Sequence, residues 1–365
     1  MKINQLTTFL ESIAPLSYQE DYDNSGLIVG RLDQEITGVI ISLDCTEEVV
    51  DEALEKGCNL IISHHPIVFR GMKKFNGKTY VERVVMKAIK HDIALYAIHT
   101  NFDNVLQGVN AKICQVLGIK NPSILSAKSN LLKKLVTFCP MAQADEVRNA
   151  IFAVGAGHIG NYSECSFNTA GTGTFLPGPN TNAFVGEKGK QHQESEIRME
   201  MIYPAQLEKQ ILVALHTSHP YEEVAYDIYP LDNKYQEVGS GMIGTLEHEM
   251  DEMDFLGLLK QNLNAKVVRH TALRNKKVKR VAVCGGAGSF LLPQAIQAGA
   301  DVFVTADYKY HEFFDADQKI LIADVGHFES EQFTQQLLLE LITEKFPNFA
   351  LHLTVQNTNP INYFI

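Results

Sequence analysis

Five short apolar runs, each ending abruptly in polar or glycine-rich residues, constrain the fold of this chain most strongly. An apolar run of this length is typical of a strand buried on both faces, as in a parallel sheet. Segments with helical spacing precede the first two runs, at 46–58 and 78–92. Alternation of strand and helix predicts an α/β sheet with helices packed on its faces. The five runs are 59–66, 93–104, 278–289, 300–312 and 319–331.

The middle of the chain has a different pattern. Strand-like and helical stretches follow one another there in the order β-α-β-β-α-β, which is the ferredoxin-like split unit. A segment rich in Gly, Pro, Asn and Lys, 174–196, separates the two middle strands and is predicted to be an exposed loop. The chain's 365 residues exceed the usual size of one domain. We therefore expect an α/β domain formed by 1–127 and 244–365, interrupted by an inserted α+β domain at 128–243.

Composition argues against several classes of protein. No apolar run approaches the roughly 18 residues of a membrane span, and the start of the chain does not have the pattern of a signal peptide. We expect a cytoplasmic protein without a membrane partner. The six cysteines form no CxxC pair, which disfavours a disulfide framework or a zinc knuckle. A formal net charge of −11 without a long Lys/Arg cluster makes nucleic acid an unexpected main partner.

Histidines and carboxylates follow the ends of three of these runs. His64 and His65 leave the first run, and Asp103 ends the second. His327 and Glu331, four residues apart at the end of the fifth run, lie on one face of the first turn of a periodic helix. Because loops converge at the carboxyl ends of strands in such sheets, we expect these five side chains to meet there. Histidine with carboxylate, in the absence of thiolates, suits zinc, manganese or iron.

The same five residues predict a site for two divalent ions. Adjacent side chains on an extended segment point in opposite directions, which would let His64 and His65 each serve a different ion. Five ligands do not saturate two ions, so positions remain open for water or substrate, as at catalytic sites. A bridging carboxylate is then needed, with Glu331 as the first candidate and Asp103 as the second. The alternative is that these histidines are hydrogen-bonded surface residues, but their coincidence at three strand ends favours a metal site.

Other strand-end residues are candidates for supporting roles. His99 is predicted to orient a ligand through its ring nitrogen, with a purely structural role as the alternative. Asp307 is interpreted as a general base or an orienting residue, or else as a solvated loop position. The CGGAGS turn at 284–289 either presents backbone N–H groups to an anion or is simply a tight turn.

Six motifs spread over essentially the whole chain occur in a specific order. They are YQEDYDNSGLIVG, SHHP, HTNFD, CGGAGS, TADYKYHE and GHFESE. This set resembles the Nif-three-like family, whose members are often named GTP cyclohydrolase I type 2 homologues. One departure is Ala306, where that family often has Gly in a T-G-D turn.

The resemblance carries its own expectations. It implies that residues 128–243 form an inserted domain similar to the PII and CutA-like fold, as in the longer bacterial members. It also implies a ring-like homo-oligomer, typically a hexamer. The residues that it implies as ligands of two metal ions are His64, His65, Asp103, His327 and Glu331.

Three functions follow as hypotheses. The first is a metal-dependent hydrolase in which two ions, zinc before manganese or iron, activate water for attack on a small nucleotide-like or heterocyclic substrate. GTP ring opening is its specific version and rests on the resemblance. The second is a metal-binding regulatory or chaperone-like assembly whose ions are structural and whose inserted domain senses a ligand or partner. The third is a phosphodiesterase or nuclease, against which the acidic composition argues.

Overall fold

The computed structural model describes residues 1–364, which form two compact units. Unit 1 comprises residues 1–127 and 237–364, and unit 2 comprises Lys128–Gln236. Unit 2 begins at Lys128 and ends at Gln236, seven residues before the expected boundary at 243. Both positions lie within one long strand, Tyr235–Asp251, which belongs to a sheet of unit 1. Within the described residues, no helix is both long and apolar enough to cross a membrane.

Strands and helices alternate along most of the chain. The strands are β1 (Gly26–Val29), β2 (Val39–Ser42), β3 (Leu60–Ser63), β4 (Ala94–Ala97), β5 (Lys120–Lys128), β6 (Leu132–Pro140), β7 (Phe167–Phe175), β8 (His192–Pro204), β9 (Tyr226–Leu231), β10 (Tyr235–Asp251), β11 (Arg269–His270), β12 (Lys277–Ala287), β13 (Val302–Ala306), β14 (Leu321–Asp324) and β15 (Leu351–Leu353). The α-helices are α1 (Ile3–Ile13), α2 (Glu47–Glu55), α3 (Tyr80–Lys90), α4 (Thr100–Asp103), α5 (Val109–Val116), α6 (Ala144–Ala153), α7 (Glu208–Ser218), α8 (Glu252–Asn262), α9 (Leu292–Gln297), α10 (His327–Glu331) and α11 (Thr334–Lys345). Short 3₁₀ helices occupy Leu16–Tyr18, Ala205–Leu207, Ser289–Leu291 and Tyr310–Ala316.

The first sheet of unit 1 has five strands in the order β1-β4-β3-β2-β15. Four of these strands, β15, β2, β3 and β4, are parallel to one another, and the fifth, β1, is antiparallel to β4. Every residue of β2, β3 and β4 is buried, as expected for apolar runs in a parallel sheet. Helices α2 and α3 fill the segments predicted to be helical, and the hydroxyls of Thr46 and Thr79 cap their N-termini.

The second sheet of unit 1 has six strands in the order β11-β14-β13-β12-β10-β5. Strands β12, β13 and β14 are parallel, whereas β10 and β11 are antiparallel to their neighbours. The expectation that all five apolar runs share one sheet is therefore wrong. Two of the runs are β3 and β4 of the first sheet, and the other three are β12, β13 and β14. A buried strand has the same pattern whichever partner it pairs with, so periodicity alone does not assign strands to sheets.

The helix predicted to begin at His327 is divided in two. Helix α10 ends at Glu331, and α11 begins at Thr334. The residue before α10 is Gly326, whose φ of +96° suits glycine and lets the chain turn sharply out of the strand-end loop. His327 and Glu331 thus occupy the two ends of one short helical turn.

Unit 2 is a four-stranded antiparallel sheet in the order β7-β8-β6-β9. Along the chain its elements run β6-α6-β7-β8-α7-β9, and this strand order is that of the ferredoxin-like split unit. Helices α6 and α7 pack on one face of the sheet, where Val147 and Ile211 join Leu135 and Met201 in a buried core. Alternate residues of β6 and β8 point to the other face, which these helices do not cover.

Candidate metal centre

The five predicted ligands lie at the ends of elements in unit 1. His64 and His65 follow the last residue of β3, and Asp103 is the last residue of α4. His327 and Glu331 bound α10, the short helix after β14. The residues therefore come from both sheets of unit 1, and the structure brings all five together.

The carboxylate of Glu331 lies at the middle of this group. Its Oε2 is 3.0 Å from Nε2 of His65 and 3.1 Å from Nε2 of His327. The same oxygen is 3.8 Å from Nε2 of His64, which in turn lies 3.6 Å from Oδ1 of Asp103. The sequence predicts that the side chains of His64 and His65 point in opposite directions because the two residues are adjacent. In the structure, both side chains instead converge on the carboxylate of Glu331.

Two groups of ligand atoms share Glu331. One consists of His65, His327 and Glu331, and the other of His64, Asp103 and Glu331. Within each group the ligand atoms lie within 4.8 Å of one another. One carboxylate common to two groups is the arrangement that a pair of bridged ions requires.

Two buried polar atoms of the cluster have no hydrogen-bond partner among the described residues. They are Nε2 of His64 and Oδ1 of Asp103. The ring of His64 is fully buried, and Glu331 is only 3% exposed. Because an unpaired buried polar atom is costly, these atoms are expected to be satisfied by a bound group. A nitrogen lone pair beside carboxylate oxygens fits a divalent cation.

Hydrogen bonds on the far side of each ring orient the histidines. Nδ1 of His65 donates to Oδ1 of Asp44 at 2.8 Å, and Nδ1 of His327 donates to Oδ2 of Asp307 at 2.7 Å. Metal-binding histidines are typically held in this way, with the second nitrogen left for the ion. The sequence predicts either a general base or an orienting residue at position 307. The hydrogen bond to His327 places Asp307 in the orienting position.

His64 is oriented by the backbone instead. Its Nδ1 donates to the carbonyl oxygen of Ile98 at 2.8 Å, which fixes the proton there and leaves the lone pair on Nε2. The cluster therefore presents imidazole nitrogens whose direction is set before any ion binds.

His99 lies beside the predicted ligands rather than behind them. Its ring centroid is 5.2 Å from that of His64 and 5.3 Å from that of His65. Nδ1 of His99 donates to Oδ1 of Asp23 at 2.8 Å. The three histidines form another group whose ligand atoms lie within 4.8 Å of one another. His99 thus occupies the place of a further ligand, whereas the sequence predicts that it orients one.

The charges of the metal-free cluster follow from its burial and its contacts. Burial alone would lower the pKa of His65, but hydrogen bonds to Asp44 and Glu331 outweigh it and raise that pKa to about 9. Burial is likewise outweighed at His327, where Glu331 and Asp307 raise the pKa to about 11. Without metal, Glu331 therefore favours protonation of both rings, while the 3.3 Å separation of their Nε2 atoms opposes protonation of both at once.

Burial makes His64 and Asp103 neutral but leaves Glu331 charged. Burial lowers the pKa of His64 to about 3, so this ring is neutral. Burial, reinforced by the negative charge of Glu331, raises the pKa of Asp103 well above its usual range. Glu331 is also buried, but the charge of His327 holds its pKa well below the usual range. The site therefore stabilises positive charge around Glu331, supplied by protons when no ion is bound.

The CGGAGS turn makes room for Glu331. A Cβ atom at Gly286 would lie 2.5 Å from Oε1 of Glu331, and the φ of +62° at Gly286 also favours glycine. The N–H groups of Gly285 and Gly286 donate to Oδ1 of Asn110 and Oγ of Ser330, both at 3.0 Å. Since both N–H groups already have acceptors, the geometry favours the tight-turn interpretation over the anion-binding one.

Sequence reasoning missed three residues that support the site. Asp44 and Asp23 orient His65 and His99, and the hydroxyl of Thr358 donates to Oδ2 of Asp44 at 2.7 Å. Asp44 follows the end of β2, a buried strand, so the strand-end rule that located His64 was also able to locate it. No spacing rule indicates Asp23 or Thr358, because each reaches the site through a loop.

The whole chain has relatives of known structure and sequence. The profile of the family Duf34/NIF3 (NGG1p interacting factor 3) matches residues 1–360. A Bacillus subtilis protein named GTP cyclohydrolase 1 type 2 homolog is 37% identical over 369 aligned positions, which cover 98% of each chain. The crystal structure of a Bacillus cereus protein related to NIF3 is 40% identical, covers 100% of this chain and 99% of that one, and has a TM-score of 0.86. A Staphylococcus aureus protein of known crystal structure is 32% identical with the same coverage and a TM-score of 0.79.

Proposed function

The chain belongs to the Duf34/NIF3 family, and from that premise we propose that it is a metal-dependent hydrolase with two divalent ions that share Glu331. One observation carries the proposal: a single buried carboxylate belongs to two groups of ligand atoms. His65, His327 and Glu331 would hold one ion, and His64, Asp103 and Glu331 the other. When bound, two such ions would supply a hydroxide nucleophile near neutral pH and neutralise charge on the reacting oxygens.

The protein residues fix and enclose this centre. Asp44, Asp307 and the Ile98 carbonyl hold the three imidazoles so that each Nε2 faces inward. Exposure is uneven, since the side chains of His64 and Glu331 are 0% and 3% exposed while that of His327 is 34% exposed. We infer that the buried pair forms the floor of the site and that substrate approaches from the side of His327.

Zinc is the proposed metal, with manganese or iron as alternatives. Histidine nitrogens mixed with carboxylates and no thiolate suit all three ions, and zinc is the commonest catalytic ion in such a donor set. We propose a small nucleotide-like or heterocyclic substrate. GTP is the first to test because the Bacillus subtilis relative is named for it. A homo-oligomer, hexameric by resemblance to the family, and a cytoplasmic location complete the proposal.

The test is a hydrolysis screen of zinc-reconstituted protein on GTP, other nucleotides, phosphodiesters and cyclic amides. Formate release reports GTP ring opening. Glu331→Gln and His65→Ala should each abolish turnover. Glu55→Gln and His91→Ala are matched controls at exposed positions and should retain it.

Activity that survives dialysis of the wild type against a strong chelator would contradict the proposal. If zinc stays bound but no substrate is turned over, the result would favour the second hypothesis, a regulatory or chaperone-like assembly with structural ions.

A further inference from the structure

A cavity of about 600 Å³ lies within unit 2, and neither the metal centre nor the proposed hydrolase uses it. Residues of β6, β7 and β8 line one side of it, among them Phe138, Phe175 and Glu196. Its remaining walls come from the loop between β7 and β8 and from Tyr221 and its neighbours after α7. We propose that this cavity binds a small planar heterocycle that carries N–H donors and no phosphate, such as a purine base or nucleoside.

The size and walls of the cavity suit a flat ring. Pockets for small molecules usually measure about 300–1,000 Å³ and are mainly apolar with a few polar groups. The ring centroid of Tyr221 lies 6.0 Å from that of Phe175 and 6.3 Å from that of Phe184. Aromatic side chains at these spacings favour a ligand that presents a π face.

One buried carboxylate sets the polarity of the ligand. Glu196 is only 7% exposed, and Oη of Tyr221 donates to its Oε1 at 2.7 Å. Among the described residues, Tyr221 is the one side chain that donates a hydrogen bond to this carboxylate. No hydrogen bond from the described residues reaches Oε2, and Glu196 lines the cavity, so this oxygen is available to accept an N–H or O–H from a bound molecule.

Glycines on β7 leave space beside that carboxylate. A Cβ atom at Gly173 would overlap the carboxylate of Glu196, so the position of Glu196 depends on this glycine. Gly171, which pairs with Glu196 across the strands, has open space where its Cβ would be. Two side-chain-free positions on one strand keep the floor of the cavity open next to its acceptor.

The loop that covers the cavity is held in place. The backbone N–H of Asn182 donates to both carboxylate oxygens of Glu222, at 2.9 and 3.0 Å. This hydrogen bond joins the loop between β7 and β8 to the segment after α7, and both segments line the cavity. The walls are therefore set by the protein before a ligand enters.

The charges of the lining residues disfavour phosphate. Glu196, Glu222 and Glu223 line the cavity, and Arg198 is its one cationic lining residue in the part of the chain that the structure describes. Arg198 already pairs with Oε1 of Glu200 at 3.0 Å. A phosphorylated ligand would meet a net negative wall, whereas a base or nucleoside would meet an acceptor for its N–H groups.

The test measures binding of adenosine, guanosine, AMP, GMP and putrescine to the full-length, zinc-loaded protein by calorimetry. We expect the nucleosides to bind and their monophosphates to bind about 10-fold more weakly. Glu196→Gln keeps an acceptor for Tyr221 but replaces the free oxygen by an amide, and it should weaken nucleoside binding by about 10-fold or more. Gly171→Val fills the open space and should abolish binding.

Two controls separate this site from the rest of the chain. Glu146→Gln, on the exposed side of α6, should bind nucleosides as the wild type does. His65→Ala, which alters the metal centre, should also bind them unchanged, so that failure of the hydrolase proposal would not affect this result. Circular dichroism of each variant reports whether unit 2 has kept its fold.

Three results would overturn the inference. The first is the absence of nucleoside binding to the wild type at millimolar concentration. The second is equal binding by the wild type, folded Glu196→Gln and folded Gly171→Val proteins. The third is preferential binding of putrescine, which would show that the cavity selects an aliphatic cation rather than a planar ring.

Discussion

Glu331 in unit 1 and Glu196 in unit 2 are both buried carboxylates that lie directly against a glycine. Gly286 makes room for the first and Gly173 for the second. Their partners differ, because three histidine nitrogens lie within 3.8 Å of Glu331, whereas Glu196 accepts one hydrogen bond from a tyrosine hydroxyl. One fold thus places the same functional group in an ionic environment and in a mainly apolar one.

The difference shows how neighbours decide what a buried carboxylate binds. Around Glu331, several oriented imidazoles and a second carboxylate supply the donor set of a divalent cation. Around Glu196, aromatic rings and a single hydroxyl leave one oxygen that a neutral N–H donor satisfies. The metal centre and the cavity of unit 2 should therefore respond independently to mutation.

The largest effect is expected for the exchange of each carboxylate for its amide. Glu331→Gln removes the ligand that both groups share, so the metal content should fall from two ions per chain to fewer than one. Glu196→Gln should leave the metal content unchanged. Elemental analysis by plasma mass spectrometry measures both, and loss of metal from the Glu196 variant would show that the two carboxylates do not act independently.

A smaller effect is expected for the residues that orient the histidines. Asp307→Asn weakens the hydrogen bond to Nδ1 of His327, and such changes typically lower metal affinity by roughly 10–100-fold. Asp44→Asn should act in the same way through His65. Competition with a chromophoric chelator measures the affinities. An effect of either variant on nucleoside binding would show that the two sites are coupled.

The two glycines offer a matched pair of substitutions. Gly286→Ala adds both a clash with Glu331 and an unfavourable backbone conformation, and it should destabilise the protein by about 1–3 kcal/mol and weaken metal binding. Gly173→Ala should instead displace Glu196 and weaken nucleoside binding alone. Thermal unfolding and the two binding assays separate these outcomes, and identical profiles for the two variants would contradict the account.

The smallest effect is a dependence on pH that only the metal centre should show. The folded pKa of His65, about 9, exceeds the ordinary value of 6.5, so protonation stabilises the metal-free fold. That contribution is complete below pH 6.5 and is lost as the pH rises through 9. The Tm of metal-free protein should therefore fall by roughly a few degrees between pH 7 and 9.5, while metal affinity rises because protons compete less.

Nucleoside binding serves as the control for pH. The described residues that line the cavity include no histidine, and burial together with the hydrogen bond to Glu196 raises the pKa of Tyr221. Tyr221 therefore remains a donor across this range, and the affinity should be constant from pH 7 to 9. A parallel change at both sites would indicate a general effect on the fold.

The sequence predicts best those site residues that follow the ends of buried strands. Apolar runs locate β3 and β14, and the polar residues that follow them include four of the five predicted ligands. The sequence does not show that these strands belong to two sheets, because strand pairing depends on contacts distant along the chain. Asp23 and Thr358 also escaped prediction, since loops carry them to His99 and Asp44.

Anomalous diffraction at the zinc edge, from crystals of the zinc-loaded protein, would locate the two proposed ions directly. Two peaks about 3.5–4 Å apart are expected, as in other two-metal sites. One should lie beside His65 and His327, the other beside His64 and Asp103, with Glu331 between them. A single peak, or peaks that do not share Glu331, would contradict the account.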